Sequence, residues 1–145
     1  MNDDVEILLV EDDPSDAELT LRAFQKNKLA NRIKHVTDGE EALNFLFAKG
    51  EYKDRDEQDK PRVILLDLKL PKIDGLEVLK AIREDANTRF IPVVMMTSSN
   101  EERDLIESYK LGVNSYITKP LEFEKFSKAV ADVGYYWLLL NKRPY

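Results

Sequence analysis

Five short apolar runs alternate with five helical patterns along this chain, and the alternation constrains the fold more than any other feature. The first, third and fourth runs are nearly continuous β-branched residues and leucine, a pattern typical of parallel strands buried on both faces. The runs are Val5–Val10, Ile33–Val36, Val63–Leu66, Val93–Met96 and Tyr116–Ile117. The sequence therefore predicts an α/β doubly wound fold with a five-stranded parallel sheet.

The segments between and after the runs carry apolar residues at the spacing of amphipathic helices, so each helix is expected to turn one apolar face to the core. In the fourth helix that face holds Leu105, Ile106 and Tyr109. The stretch Gly50–Pro61 is different: it is mostly charged and has no periodicity, which predicts a solvated surface loop. The predicted helices are Asp16–Lys28, Glu40–Lys49, Leu76–Glu84, Glu101–Leu111 and, extending into the tail, about Glu122–Leu140.

Length and composition narrow the classes of function. The 145 residues suit one domain, and a net charge of -6 argues against sequence-independent nucleic-acid binding. The chain has no cysteine, which excludes disulfides and thiolate metal sites and favours a cytoplasmic location. The N-terminal segment has no basic region and its apolar stretch is too short for a signal peptide, so we expect none. The late apolar run Tyr135–Leu140 is far shorter than the roughly 20 residues of a membrane span. We therefore expect neither nucleic acid nor membrane as a partner.

Polar residues of a particular kind follow the apolar runs. Glu11 and Asp12 follow the first run, Asp67 the third, Thr97 the fourth and Lys119 the fifth. In a doubly wound sheet, ligands bind beyond the carboxyl ends of the strands, at the switch point of the strand order. We therefore expect these side chains to meet at one edge of the sheet.

These residue types suit a phosphoryl group. Clustered carboxylates repel one another unless a cation lies among them, and Mg²⁺ prefers such oxygen ligands. Asp67 would be a nucleophilic carboxylate that forms an acyl phosphate. Thr97 and the Lys119 ammonium would bind the phosphoryl oxygens and neutralise their charge.

Each residue also has an ordinary structural interpretation. The acidic stretch could cap the following helix through Asp13. Asp67 could end a strand at a turn, Thr97 could cap a helix, and Lys119 could be a surface amine. The coincidence of all of them at successive strand ends favours the functional interpretation. The only histidine, His35, lies in mid-strand, so we expect it to have a structural or surface role.

Four segments resemble the signature segments of response-regulator receiver domains: VEDDPSD, LLDLKLPKIDG, MMTSS and SYITKP. The resemblance covers nearly the whole chain and implies a flavodoxin-like sheet of order 2-1-3-4-5 with five helices. It also implies that residues 1–145 form a single receiver domain that carries no output domain. A departure from the commoner pattern is Glu11, where aspartate is usual.

The resemblance also assigns roles to individual residues. It implies that Asp67 is the phosphoacceptor, that Thr97 and Lys119 assist it, and that Thr97 and Tyr116 form the switch. It implies a Mg²⁺ cofactor and a Lys119–Pro120 peptide bond in the cis form. The implied metal ligands are the side chains of Glu11, Asp12 and Asp67 and the backbone carbonyl of Lys69.

Two partners are expected, one from the resemblance and one from the apolar end of the last helix. The resemblance implies a sensor histidine kinase as phosphoryl donor, and the chain is most similar to regulators paired with cyanobacterial phytochrome kinases. The apolar end of the last helix is expected to form a homodimer together with the fifth strand. The residues expected at that interface are Tyr135, Tyr136, Leu138 and Leu139.

Two other functions stay open on the sequence alone. A Mg²⁺-dependent phosphatase would also form an aspartyl phosphate, although Lys69 stands where such enzymes commonly have a second carboxylate. A receiver-shaped binding module would need no phosphorylation, although such modules often lack the acceptor or the lysine. For the switch itself we expect slow autodephosphorylation, because the resemblance implies that the side chains of Lys69 and Ser99 flank the approach of the attacking water, and neither orients it well.

Overall fold

The computed structural model describes residues 5–28, 32–99, 101–119 and 123–134, and the structural statements below concern those residues. They form a five-stranded parallel sheet of order β2-β1-β3-β4-β5, which confirms the predicted fold class and strand order. The strands are β1 (Ile7–Val10), β2 (Ile33–Val36), β3 (Val63–Leu66), β4 (Val93–Thr97) and β5 (Ser115–Thr118). The helices are α1 (Pro14–Asn27), α2 (Gly39–Phe47), α3 (Gly75–Glu84), α4 (Glu102–Lys110) and α5 (Phe123–Gly134), with a short 3₁₀ helix at Gly50–Tyr52.

The central strands are apolar throughout because helices cover both faces of the sheet. Successive residues of β1 point to opposite faces: Leu8 and Val10 pack in one core cluster, and Ile7 and Leu9 pack in the other. The first cluster includes side chains of α2 and α3, and the second includes side chains of α1 and α5. This arrangement explains why these runs do not alternate apolar and polar residues, as a strand with one solvent-exposed face would.

The fourth helix departs from the expectation. Its apolar face is exposed: the relative exposure is 38% for Leu105, 44% for Ile106 and 52% for Tyr109. The buried positions of α4 are instead Asp104 and Ser108. The prediction that the apolar stripe of this helix faces the core was wrong, because periodicity identifies a face but not its direction.

The charged stretch 50–61 is also less solvated than expected. Most of its residues are exposed, but Lys60 and Pro61 are buried. Lys60 Nζ donates to the backbone carbonyl of Leu46 at 3.1 Å, and Arg55 donates to the carbonyl of Phe45 and lies over the Phe45 ring. Two cations therefore bond to carbonyls in the last turn of α2, where the helix dipole favours positive charge.

Several expectations fall outside the described residues. They are the cis bond at Lys119–Pro120, the helical stretch beyond Gly134, and the interface residues Tyr135, Tyr136, Leu138 and Leu139. None of the described helices has the length and apolar character needed to cross a membrane.

Candidate functional site

The parallel register brings the predicted site residues together. Val10 of β1 is level with Leu66 of β3, so the residues that follow, Glu11 and Asp67, leave the sheet side by side. The amide of Asp67 donates to the carbonyl of Val10 at 3.1 Å, which extends the ladder by one bond and orients the acceptor side chain. On the other side, the amide of Lys119 donates to the carbonyl of Thr97 at 2.6 Å.

Three carboxylates form a compact cluster at this edge. Glu11, Asp12 and Asp67 each offer one oxygen, and these oxygens all lie within 4.8 Å of one another. Glu11 and Asp67 are buried, whereas Asp12 is exposed. An all-oxygen donor set with an open side fits Mg²⁺, which binds one or two carboxylates and retains several waters. The described residues therefore fit the implied metal through the side chains predicted to hold it.

Lys119 lies at the centre of the site. Its ammonium donates to Glu11 Oε1 at 2.6 Å, to Asp16 Oδ2 at 2.8 Å and to Asp67 Oδ2 at 3.3 Å. Burial alone would lower the pKa of Lys119, but the bonds to Asp16 and Glu11, together with the charge of Asp67, raise the pKa above its ordinary value. The ammonium therefore stays charged and offsets part of the repulsion among the carboxylates.

Glu11 is the most buried carboxylate of the cluster, with a relative exposure of 1%. Burial raises its pKa to about 7, and the bond from Lys119 limits that rise while the neighbouring Asp67 adds to it. The backbone around Glu11 is held from two sides. The carbonyl of Glu11 is 2.8 Å from His35 Nε2, and the amide bonds to the carbonyl of Val36 at 3.0 Å. His35 is half-buried in β2, which agrees with the structural role expected of it.

The hydroxyl side of the site is built on the end of β4. Thr97 is fully buried, and its Oγ1 accepts a bond from the amide of Ser99 at 3.3 Å. Ser99 Oγ donates to Asp104 Oδ2 at 2.5 Å, so its side chain is bonded to α4. Tyr116 is half-buried and its hydroxyl donates to the carbonyl of Ser99 at 3.0 Å, which links the predicted switch aromatic to the loop after Thr97.

A glycine permits the loop after Asp67 to fold tightly. A Cβ on Gly75 would lie 2.2 Å from the carbonyl oxygen of Asp67, a distance at which the backbone itself would have to move. The amide of Gly75 donates to the carbonyl of Leu68 at 2.8 Å. Residue 75 must therefore lack a side chain for α3 to begin this close to the acceptor.

The structure thus brings Glu11, Asp12, Asp67 and Lys119 into one cluster, with Thr97 at the neighbouring strand end. Tyr116 is attached to this region through Ser99. Sequence reasoning missed three contributors: Asp16, Asp104 and Gly75. A signal existed for Asp16, which stands in the segment VEDDPSD one helical turn beyond the acidic pair. Nothing in the sequence pattern distinguished Asp104 from the other acids of α4.

Comparison with known proteins identifies the protein family that this sequence matches. Residues 7–131 match the family described as response regulator receiver domain. The probable methanogenesis regulatory protein FilR2 of Methanothrix harundinacea is 42% identical over 138 residues, which are 95% of this chain and 86% of that protein. Response regulator Rcp1 of Synechocystis is 39% identical over 132 residues, covering 91% of this chain and 88% of that protein.

Solved structures agree with the sequence relatives. The phosphorylated cyanobacterial phytochrome response regulator RcpA superposes with a TM-score of 0.87 at 37% identity, over 98% of this chain and 99% of that one. The Mn²⁺-bound form of Rcp1 superposes with a TM-score of 0.86 at 38% identity, over 97% and 99% of the two chains. The bacteriophytochrome response regulator AtBRR is 54% identical with a TM-score of 0.75, over 95% and 98%.

Proposed function

The chain belongs to the response-regulator receiver family of two-component systems, and from that premise we propose that Asp67 is its phosphoacceptor. One observation carries the assignment. Asp67 ends the central strand β3 with one oxygen 3.3 Å from Lys119 Nζ and a carboxylate oxygen in a cluster with Glu11 and Asp12. Glu11 also bonds to Lys119, at 2.6 Å, but its relative exposure is only 1% against 8% for Asp67, so Asp67 is the more accessible of these two carboxylates.

The proposed reaction is a displacement at phosphorus. A carboxylate oxygen of Asp67 attacks the phosphorus of a phosphohistidine on a sensor kinase, the new O–P bond forms, and the P–N bond breaks. The electron pair of that bond stays on the imidazole nitrogen. The imidazole is the leaving group, and it takes up a proton from solvent. This chain accepts the group and keeps it, so the reaction is a transfer and not an enzymatic turnover of substrate.

The other residues have supporting roles in the proposal. Glu11, Asp12, Asp67 and the Lys69 backbone carbonyl would hold Mg²⁺, which supplies positive charge to the oxygens of the phosphoryl group when bound. The amide of Lys69 already bonds to Asp67 Oδ1 at 3.2 Å, so this part of the loop is close to the acceptor. Lys119 and Thr97 would bind phosphoryl oxygens, and Tyr116 with Thr97 would report the new charge to the surface.

Phosphorylation by a small donor tests the acceptor. Acetyl phosphate and Mg²⁺ are expected to add one phosphoryl group to the wild type, seen by intact mass, and none to Asp67→Asn. Asp74→Asn is the matched control, because Asp74 is the exposed N-cap of α3 and asparagine caps a helix equally well. Phosphorylation of Asp67→Asn at the wild-type rate would overturn the assignment.

For the donor we propose a phytochrome-type histidine kinase. The similarity to RcpA and AtBRR supports it, since those proteins are described as a cyanobacterial phytochrome and a bacteriophytochrome response regulator. A panel of purified kinases tests the proposal. The phytochrome-type kinase is expected to transfer phosphate fastest, and a clear preference for an unrelated kinase would contradict it.

We propose that the phosphorylated state is long-lived. Water must approach phosphorus past the side chains of Lys69 and Ser99. Lys69 has only donors, and its ammonium is 4.0 Å from Asp104 Oδ2, while Ser99 Oγ is already bonded to the same carboxylate. Both side chains are therefore turned to α4 and neither is placed to orient a water. Asn100, the amide that could replace them, lies outside the described residues.

The lifetime is measured by loading Asp67, removing the donor and following phosphate release. Lys69→Asn combined with Ser99→Glu should release phosphate faster than wild type, because an amide and a carboxylate can position the water. Equal rates in the two proteins would show that these positions do not control the lifetime.

We also propose a homodimer formed by the last helix and β5. Its support is the apolar sequence at Tyr135, Tyr136, Leu138 and Leu139, together with the position of β5 at an edge of the sheet. Light scattering at micromolar concentration is expected to give twice the chain mass, and the double variant Tyr135→Ser with Tyr136→Ser is expected to lower it. A monomer with and without phosphorylation would refute the dimer.

Finally, we propose that residues 1–145 act as one receiver domain in the cytoplasm. Two core clusters cover the two faces of one sheet, and the absence of cysteine from the sequence favours a reducing compartment.

A further inference from the structure

Asp16 is a fourth carboxylate at the site, and the proposed transfer gives it no role. It lies in the first turn of α1, and its Oδ2 accepts a bond from Lys119 Nζ at 2.8 Å. That distance is shorter than the 3.3 Å between Lys119 Nζ and Asp67 Oδ2. In this structure the ammonium is thus bonded more closely to Asp16 than to the acceptor.

The capping of α1 explains why Asp16 turns inward. Asp13 is the N-cap, and its Oδ1 accepts bonds from the amides of Ser15 and Asp16. In a capping box the side chain three residues after the N-cap, typically Glu or Gln, folds back to the N-cap amide. Here the amide of Asp13 bonds instead to Glu11 Oε2 at 3.2 Å, so the carboxylate of Asp16 is left to accept from Lys119.

The ammonium has no spare donor. Lys119 carries three N–H groups, and three carboxylates accept from it. A phosphoryl oxygen on Asp67 could bond to Lys119 only if one of these bonds were released. Asp16 is the partner that water can replace most readily, since its side chain is 37% exposed and that of Glu11 is 1% exposed.

We propose that Asp16 is a positioning residue that competes with the phosphoryl group for Lys119. In the unphosphorylated protein it draws the ammonium away from Asp67 and leaves the acceptor carboxylate less engaged. When a phosphoryl group arrives, Lys119 exchanges Asp16 for a phosphoryl oxygen, and Asp16 returns to water. Asp16 therefore opposes the switched state and adjusts how firmly the site holds its phosphoryl group. This inference rests on the proposed function of Asp67 and Lys119.

Beryllofluoride with Mg²⁺, a mimic of a phosphoryl group on a carboxylate, tests the competition without turnover. Asp16→Asn is expected to bind it about fivefold more tightly than the matched control, a ratio typical of a partly exposed hydrogen bond to a charged group. The matched control is Asp13→Asn, which removes the same charge from the same helix start and preserves the cap but does not touch Lys119. Equal affinities in the two variants would show a general field effect and overturn the inference.

The Lys119 ammonium gives a second readout that a purely structural role would not move. Its proton–nitrogen NMR signal in the ligand-free protein should shift in Asp16→Asn and stay in place in Asp13→Asn. In a Lys119→Met background, Asp16→Asn should no longer alter beryllofluoride affinity beyond the change produced by Asp13→Asn, because the competition has been removed. An unmoved ammonium signal, or an undiminished effect without Lys119, would refute the proposal.

The acceptor site and the role of Asp16 are distinguished by different outcomes of these measurements. A wild type that binds no beryllofluoride in the presence of Mg²⁺ would overturn the proposed acceptor site, and this inference with it. A wild type that binds normally while Asp16→Asn and Asp13→Asn behave alike would overturn only the role of Asp16.

Discussion

Arg83 joins three separate segments of the chain, and its removal is expected to destabilise the fold measurably. It lies in the last turn of α3, and its guanidinium donates four hydrogen bonds. Nε bonds to the carbonyl of Gly112 at 2.9 Å, and one terminal nitrogen bonds to the carbonyls of Arg89 and Ile91 at 3.1 and 2.7 Å. The other terminal nitrogen bonds to Asn114 Oδ1 at 3.0 Å.

The size of the loss depends on which of these acceptors are buried and have no other hydrogen-bond donor. Ile91 is fully buried, so Arg83→Met would leave its carbonyl without this partner, a loss of about 1–3 kcal/mol. Asn114 Oδ1 keeps the bond from the amide of Val93 at 2.8 Å, and the bonds to Gly112 and Arg89 are at exposed positions where water can substitute. Burial also lowers the pKa of Arg83, so removing the charge recovers some desolvation free energy. We expect a net loss of about 1–2 kcal/mol in the free energy of unfolding.

Urea unfolding measures this loss as a lower midpoint at an unchanged slope. The control is Arg22→Met, because Arg22 makes an exposed ion pair with Glu18 and its removal should change the free energy by less than about 0.5 kcal/mol. Arg83→Lys should recover only part of the loss, since an ammonium cannot reproduce the planar fork. A free energy for Arg83→Met within about 0.5 kcal/mol of wild type would refute the reasoning.

Three further changes have defined outcomes. Gly75→Ala should displace the carbonyl of Asp67, which lies 2.2 Å from the new Cβ, and should lower Mg²⁺ affinity in a fluorescence or NMR titration. Because burial raises the pKa of Glu11 from 4.5 to about 7, its protonation favours the folded state, fully so below pH 4.5. The excess stability of wild type over Glu11→Gln in urea should therefore fall as pH rises through that window, by up to about 1.4 kcal/mol per pH unit, and a constant difference would contradict it. Tyr116→Phe removes the bond to the Ser99 carbonyl and should reduce stability by about 0.5–1.5 kcal/mol while leaving the acetyl phosphate reaction at its wild-type rate.

The part of the site that lies on strand ends could be predicted from the sequence. Parallel strands in register fix where their carboxyl ends meet, so reading the residue after each run was sufficient to group Glu11, Asp67, Thr97 and Lys119. The runs themselves were recognisable because burial on both faces leaves no polar position in β1, in β3 or in the first four residues of β4. Backbone geometry carries this information, and side-chain orientation adds little to it.

Residues that depend on side-chain orientation could not be found in this way. Asp16 contacts Lys119 across 103 positions of sequence, and the nearby amide of Asp13 bonds to Glu11 and not to Asp16. Lys60 is buried in a stretch that composition marks as solvated, because the last turn of α2 offers it a carbonyl. Neither contact follows from spacing or composition, because each depends on which hydrogen-bonding groups the folded chain brings within reach.

The orientation of α4 shows the same limit for a whole element. Its sequence holds two stripes at helical spacing, the apolar Leu105, Ile106 and Tyr109 and the polar pair Asp104 and Ser108, and the polar pair faces inward. Turning the apolar stripe inward would bury surface worth about 25 cal/mol per Å², but it would expose Asp104 and break its 2.5 Å bond with Ser99. The structure keeps that bond, and it also leaves the buried Ser108 hydroxyl without a hydrogen-bond partner among the described residues. In this orientation the polar contact at the end of β4 bonds α4 to the loop that follows Thr97, and the apolar stripe of the helix stays exposed.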